Sequence, residues 1–303
     1  MVLLHKNRED FFDAVNLAAE KYGILPNIVE KDYYVTMILR CLSRRLDYIV
    51  FKGGTSLSKC HKVIKRFSED IDITIDRKLS QAEMRKLKDT IKSVAEELGL
   101  RIPNINQTRS RRSYNRYVLE YDSVLMEPDD TVQTAVLMET SFAEISFPTT
   151  LLSVHSYVGD MMIEEAPESI VDYQLDLFEM KVQGIDRTLA DKVFAICDYY
   201  MQGKVNKHSR HIYDIYKLLP IVPQTGEFKS LVKNVRTERA KNVICPSAQS
   251  GVDVPGLLRL IVEKEIYKDD YEAITAKLLE ESVPYKTAIE AVRIISDSGI
   301  YAE

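Results

Sequence analysis

Apolar positions recur at helical spacing from Glu9 to Tyr22 and stop at Gly23, which predicts a helix over 9–22. Pro26 suits the first turn of a second helix, over 26–43, carrying Ile28, Tyr33, Val35, Ile38 and Leu42. Its charged run Glu30-Lys31-Asp32 reads as the solvated face of an amphipathic helix. Tyr48-Ile49-Val50-Phe51 predicts a strand over 47–52 that runs into Gly53-Gly54. A helix over 55–64 and a strand over 70–75 follow. Ser80-Gln81-Ala82-Glu83 is a capping box and opens a helix that reaches Leu98, before Gly99.

Two strands, over 116–126 and 131–141, are joined by Glu127-Pro128-Asp129-Asp130, a turn composition. Alternation in the second puts Gln133, Ala135, Leu137 and Glu139 on one face. Composition changes near residue 180, and we place a domain boundary there. Beyond it the pattern is helical: Thr188-Leu189-Ala190-Asp191 has capping-box spacing and opens a helix to Met201, with further helices over 207–219, 225–241, 255–267, 269–282 and 285–298. The fold class is α/β (α+β), a domain over 1–180 with a small mixed sheet and a helical domain over 181–303.

At 303 residues the chain is long enough for two domains. The net charge of −5 provides no general attraction to nucleic acid, so any such contact needs local basic patches. Two exist: Arg101, Arg109, Arg111, Arg112 and Arg116 with Tyr114 and Tyr117 among them, and Lys229, Lys233 and Arg236 along one helix face. Each can bind phosphates, and each is also an ordinary solvated surface. Residues 160–179 hold seven acids and no Lys or Arg. The four scattered cysteines read as reduced thiols and His208/His211 as structural. No apolar run approaches the ~20 residues of a membrane span, and the N-terminus has no signal-peptide pattern, so a cytoplasmic protein is expected.

Chemistry concentrates between Gly53 and Asp72. On a strand, Asp70 and Asp72 share one face while Ile71, Ile73 and Ile75 share the other. Paired carboxylates are hard ligands suited to Mg²⁺. A Gly-Gly-Thr-Ser turn opening a helix suits a phosphate, because glycine lets the backbone come close and helix N-terminal N–H groups point outward. An isolated D-x-D is more often a half-exposed polar face; the upstream Gly53-Gly54-Thr55-Ser56 is what changes its meaning.

Gly53-Gly54-Thr55-Ser56-Leu57 followed by Ser68-Glu69-Asp70-Ile71-Asp72 resembles the polymerase-β-like nucleotidyltransferase superfamily. Within it the chain resembles the AbiEii-like toxins of type IV toxin–antitoxin (abortive infection) systems, through Glu30-Lys31-Asp32-Tyr33, Thr188-Leu189-Ala190-Asp191-Lys192 and Arg210-His211-Ile212-Tyr213-Asp214. The stretch between Gly54 and Asp70 is longer than in many superfamily members, and the last ~80 residues match no motif.

The resemblance implies an NTP-dependent, pyrophosphate-releasing nucleotidyltransferase that uses two Mg²⁺ ions held by Asp70 and Asp72. Gly53, Gly54, Thr55 and Ser56 would hold the β/γ phosphates. Glu139, in preference to Glu144, would be a third metal carboxylate. Lys192 would contact phosphate, and Asp214 would orient Lys192 or the acceptor hydroxyl from a helical domain that completes the active-site cleft. On residues alone, an exposed lysine is the commoner reading of Lys192, and Asp214 is a partner of Arg210 or Lys217. The implied acceptor is RNA, the 3′ end of tRNA, and the implied protein partner an antitoxin. Two rivals stand beside this: transfer to a small-molecule or protein hydroxyl, and an inactive nucleotide-binding module.

Overall fold

The computed structural model describes residues 3–125 and 133–302. The chain divides into two compact units, Met1–Cys60 with Glu69–Val182, and His61–Ser68 with Gln183–Glu303. The expected turn at Glu127-Pro128-Asp129-Asp130 lies outside the described residues.

The first unit runs α1 (Arg8–Tyr22), α2 (Pro26–Ser43), β1 (Ile49–Lys52), α3 (Gly53–Lys59), β2 (Ile71–Ile75), α4 (Gln81–Leu98), β3 (Tyr114–Glu120), β4 (Ala135–Ile145), β5 (Thr149–Val154), α5 (Tyr157–Glu165) and β6 (Phe178–Gln183). The strands form one mixed sheet in the order β3-β4-β2-β1-β6-β5. Strands β1/β2 and β3/β4 pair antiparallel, whereas β2/β4 and β1/β6 pair parallel. Ile49, Val50 and Phe51 of β1 and Ile71, Ile73 and Ile75 of β2 are buried. That is what central strands covered on both faces require. The capping box forms as expected, with Ser80 Oγ accepting from Glu83 N–H and Glu83 accepting from Ser80 N–H.

Helix α2 departs from the sequence expectation in an informative way. It is buried around its whole circumference and packs on α1, α4, α5 and β4. Glu30 and Lys31 are 1% and 2% exposed, so they are not a solvated face. A helix apolar on every side belongs in a core, and its few charges must then find partners there. Glu30 accepts hydrogen bonds from Ser123 Oγ at 2.6 Å and Val124 N at 2.7 Å. Burial raises the Glu30 pKa, and these two donors oppose that shift.

Three further differences have physical causes. The helix expected over 55–64 stops at Lys59: Lys62 has φ of 55°, outside helical backbone, and residues 61–68 join the second unit. Strands β5 and β6 and helix α5 had no counterpart in the pattern reading. The acidic run over 160–179 is partly paired: Glu164 and Glu165 with Lys21, Asp176 with the buried Arg40, Asp160 with His155.

The second unit is helical: α6 (Ile185–Met201), α7 (Arg210–Leu218), α8 (Gly226–Arg239), α9 (Val254–Glu263), α10 (Lys268–Ala273) and α11 (Tyr285–Asp297). Helix α6 starts three residues before Thr188, with Gly184 as its cap. Thr188 therefore lies inside the helix, its hydroxyl donating to Gly184 O at 2.9 Å. Asp191 accepts from Gln183, Arg187 and Arg239 rather than capping a terminus. Cys41, Cys197 and Cys245 are buried and Cys60 is half-buried. Among the described residues, no helix is long and apolar enough to cross a membrane.

Candidate active site

Strand register assembles the first half of the site. Lys52 on β1 stands opposite Asp72 on β2, Asp72 opposite Glu139 on β4, and Glu139 opposite Arg116 on β3. Directly opposed residues project to the same face. The sheet thus carries one charged row, cation–carboxylate–carboxylate–cation, across four strands. Arg116 Nε lies 3.7 Å from Glu139 Oε1. Tyr114, also on β3, has its phenol pKa pushed up, first by burial and then by a hydrogen bond to Glu139. Glu139 is therefore beside Asp72 and held by β3. The side chain of Glu144, the other candidate, is outside what the structure describes.

Asp70 precedes β2 by one residue. Its Oδ1 is buried and has no hydrogen-bond partner. A buried carboxylate oxygen in that condition is costly unless something else satisfies it. Gly53 has φ of 83°, and a Cβ placed there would lie 1.9 Å from Asp72 Oδ2. The Asp72 carboxylate is thus pressed against the glycine turn, in space that only glycine leaves open. The first N–H groups of α3, from Gly53 onward, have no partner one turn earlier in the helix. Gly53 and Gly54 are half-buried, while Thr55 and Ser56 are 2% and 0% exposed. Ser56 Oγ donates to Gly53 O at 2.9 Å. The surface offered by this turn is backbone, and the two hydroxyl side chains face inward.

Among the described residues, no group of three or more His, Cys, Asp or Glu side chains is placed to hold a metal ion. Asp70 and Asp72 still match the habit of Mg²⁺, which is commonly held by one or two carboxylates plus substrate phosphates. The unpartnered Asp70 oxygen is the feature that fits such an ion.

The second unit contains a separate charged cluster. Asp214 is 0% exposed, Lys192 5% and Arg66 3%. Arg66 Nε and Nη2 donate to the two Asp214 oxygens at 2.7 and 2.8 Å, a bidentate pair. Lys192 Nζ donates to Asp214 Oδ2 at 2.6 Å. Burial pushes the Asp214 pKa upward, but Arg66 and Lys192 outweigh it and hold the carboxyl well below its usual range. Burial lowers the Lys192 pKa, with Asp214 opposing. Burial, with Lys192 nearby, drives the His211 pKa well below its usual value. Two buried basic side chains thus share one carboxylate.

Asp214 takes Lys192 and Arg66 as partners, where residues alone also offered Arg210 and Lys217; of its two partners, sequence reasoning missed Arg66. Arg66 lies 148 residues from Asp214 in an irregular segment, and no spacing marks it. The other flagged groups are placed as follows. Tyr117 is core at 2% exposure, whereas Tyr114 is half exposed. Arg109 and Arg112 donate to backbone carbonyls of their own loop, and Arg101 pairs with Glu120 and Asp122. Lys229 and Lys233 are exposed, but Arg236 donates to Gln249 O and Val252 O. His208 stacks on Tyr199 at 3.5 Å between ring centres, a packing role.

Residues 38–292 match the family model described as "Nucleotidyl transferase AbiEii toxin, Type IV TA system". Among solved structures the chain resembles MenT4, a nucleotidyltransferase toxin of Mycobacterium tuberculosis H37Rv. Identity is 16%, the TM-score is 0.51, and the match covers 95% of this chain and 88% of that one. That likeness is one of fold. No curated protein matches.

Proposed function

The chain belongs to the AbiEii family of type IV toxin–antitoxin nucleotidyltransferases, and on that premise we propose that it transfers nucleotides from an NTP to the 3′ end of a tRNA. The observation that carries the catalytic reading is the Asp72 carboxylate seated on Gly53 beside the unpartnered oxygen of Asp70.

Asp70 and Asp72 would hold Mg²⁺, with Glu139 completing the set from the next strand; two ions are the family pattern. Bound there, magnesium supplies charge neutralisation for the triphosphate and for the attacking and leaving oxygens. The chain's own groups do the rest. Backbone N–H groups from Gly53 to Ser56 bind the β and γ phosphates, and the inward hydroxyls of Thr55 and Ser56 shape that turn. Lys192 contacts phosphate, and Asp214 holds its ammonium in place with help from Arg66. The acceptor hydroxyl gives up its proton to solvent and its oxygen forms a bond to the α-phosphorus, the bond from that phosphorus to the α–β bridging oxygen breaks, and pyrophosphate leaves. A tRNA extended in this way cannot be aminoacylated, which accounts for toxicity, and a cognate antitoxin neutralises the enzyme.

Incubation of the protein with each labelled NTP, Mg²⁺ and total RNA tests this. Label in a discrete tRNA band is expected. Label confined to protein or small molecules would refute the acceptor, and full cellular toxicity of Asp72→Ala would refute the catalytic site.

A further inference from the structure

The buried charges of α2 have no part in the chemistry above, and residues 30–33 precede the span matched by the family model. Two of them reach both segments that make the first unit's site. Lys31 Nζ donates to Glu69 Oε2 at 2.5 Å, and Glu69 is the residue before Asp70. It donates also to Gln133 O at 3.2 Å, ahead of β4 and Glu139. The next residue, Asp32, accepts from Lys59 Nζ through Oδ1. Lys59 ends the short helix that Gly53 begins. Asp32 Oδ2 also accepts from Tyr157 N at 3.0 Å, which anchors the carboxylate itself.

We infer that Lys31 and Asp32 are positioning residues: adjacent on one stiff buried helix, they hold the carboxylate segment through Glu69 and the glycine turn through Lys59 in fixed relation. Burying ions is costly, and an apolar pair of similar volume is often as stable. What an apolar pair lacks is direction. A charge-assisted hydrogen bond fixes where a partner sits, and Glu69 lies one peptide from a proposed metal ligand. Supporting contacts of this kind orient the groups that meet the metal, and their loss typically costs about 10–100-fold in metal affinity or activity. The inference rests on the proposed roles of Gly53, Asp70 and Asp72.

The test uses the full chain with Lys31→Met, Glu69→Gln and the double variant. Three quantities are measured: Mn²⁺ affinity by titration, kcat and KM for nucleotide transfer, and amide hydrogen exchange over residues 53–60 and 67–74. Each single variant should lose about 10–100-fold in Mn²⁺ affinity and in kcat, with KM for NTP little changed and exchange over 67–74 faster. The double variant should be no worse than Lys31→Met, because Glu69→Gln breaks a contact that Lys31→Met has already removed. Lys31→Arg should recover part of the loss. Wild-type exchange over 67–74 together with wild-type Mn²⁺ affinity in Lys31→Met would overturn the inference, as would losses that multiply in the double variant. If Lys31→Met does not fold, Glu69→Gln carries the test, since that side chain is 31% exposed. A wild-type protein without Mn²⁺ binding or transfer would instead sink the proposed function, and exchange over 67–74 would still decide the clamp.

Discussion

Replacing Gly53 by alanine separates the site's geometry from the fold's stability. The new Cβ would stand 1.9 Å from Asp72 Oδ2 and 2.8 Å from its Cγ, whereas real Cβ contacts essentially never fall below 3.0 Å. Either the carboxylate or the turn must retreat by about 1 Å. A displacement of that size at a catalytic group can cost about 100-fold in rate. The backbone adds its own cost, because φ of 83° is unfavourable for alanine by about 1–2 kcal/mol. For a unit of this size that lowers Tm by roughly 2–8 °C. Gly23→Ala is the matched control: Gly23 has φ of 65° with nothing within 4 Å of the added Cβ. Labelled-NTP transfer and thermal melting should show both variants destabilised to a similar degree and Gly53→Ala alone inactive. Transfer by Gly53→Ala within a fewfold of wild type would refute the account of Asp72 and the glycine turn.

Asp214→Asn leaves Arg66 and Lys192 as two buried cations without their shared carboxylate, and should cost about 3–5 kcal/mol in urea unfolding. Because the folded Asp214 pKa is depressed, its contribution is fully present above the unfolded value of about 3.9 and fades as pH falls toward the folded one. The gap between wild type and variant should therefore narrow as pH falls below about 4; a gap that keeps widening below about pH 4 would contradict the assignment. Tyr117→Ala should cost about 3–5 kcal/mol, as for a buried aromatic. Tyr114→Ala should leave melting almost unchanged and weaken tRNA retention on filters by about 1–3 kcal/mol if Tyr114 stacks on a base. Unchanged retention would remove Tyr114 from the proposed RNA contact.

Much of the first unit was legible because its signals are local. Apolar runs ending in glycine, the Ser80 capping box and the alternation around Asp70 and Asp72 each follow from a few neighbouring residues. What escaped was set by distant partners. Strand β5 is an edge strand whose Leu151 is 60% exposed, so its alternation is weak. Strand β6 alternates Met180 and Val182 with Glu179 and Lys181, but over only six residues that begin at the end of the acidic run. The Glu30–Asp32 triplet looked solvated because charge is ordinarily a surface signal; only its partners, 27 to 125 residues away, make burial tolerable. The glycine and aspartate motifs name the chemistry, whereas Arg66 becomes visible only when Asp214 is folded against it.

The assignment of residues 61–68 to the second unit has a consequence in time. The Lys31–Glu69 contact spans 38 residues and the Arg66–Asp214 pair 148. At about 5–20 residues per second of synthesis, Arg66 is made roughly 7–30 s before its partner. Throughout that interval the nascent chain carries the materials of the carboxylate strand and the glycine turn, with Arg66 between them in sequence and Asp214 still to be made. The segment also prevents a clean cut at residue 182: a fragment ending there would keep Arg66 and lose the carboxylate that pairs with it. Separating the halves of this toxin would require rejoining the chain in a different order, with 61–68 moved ahead of 183.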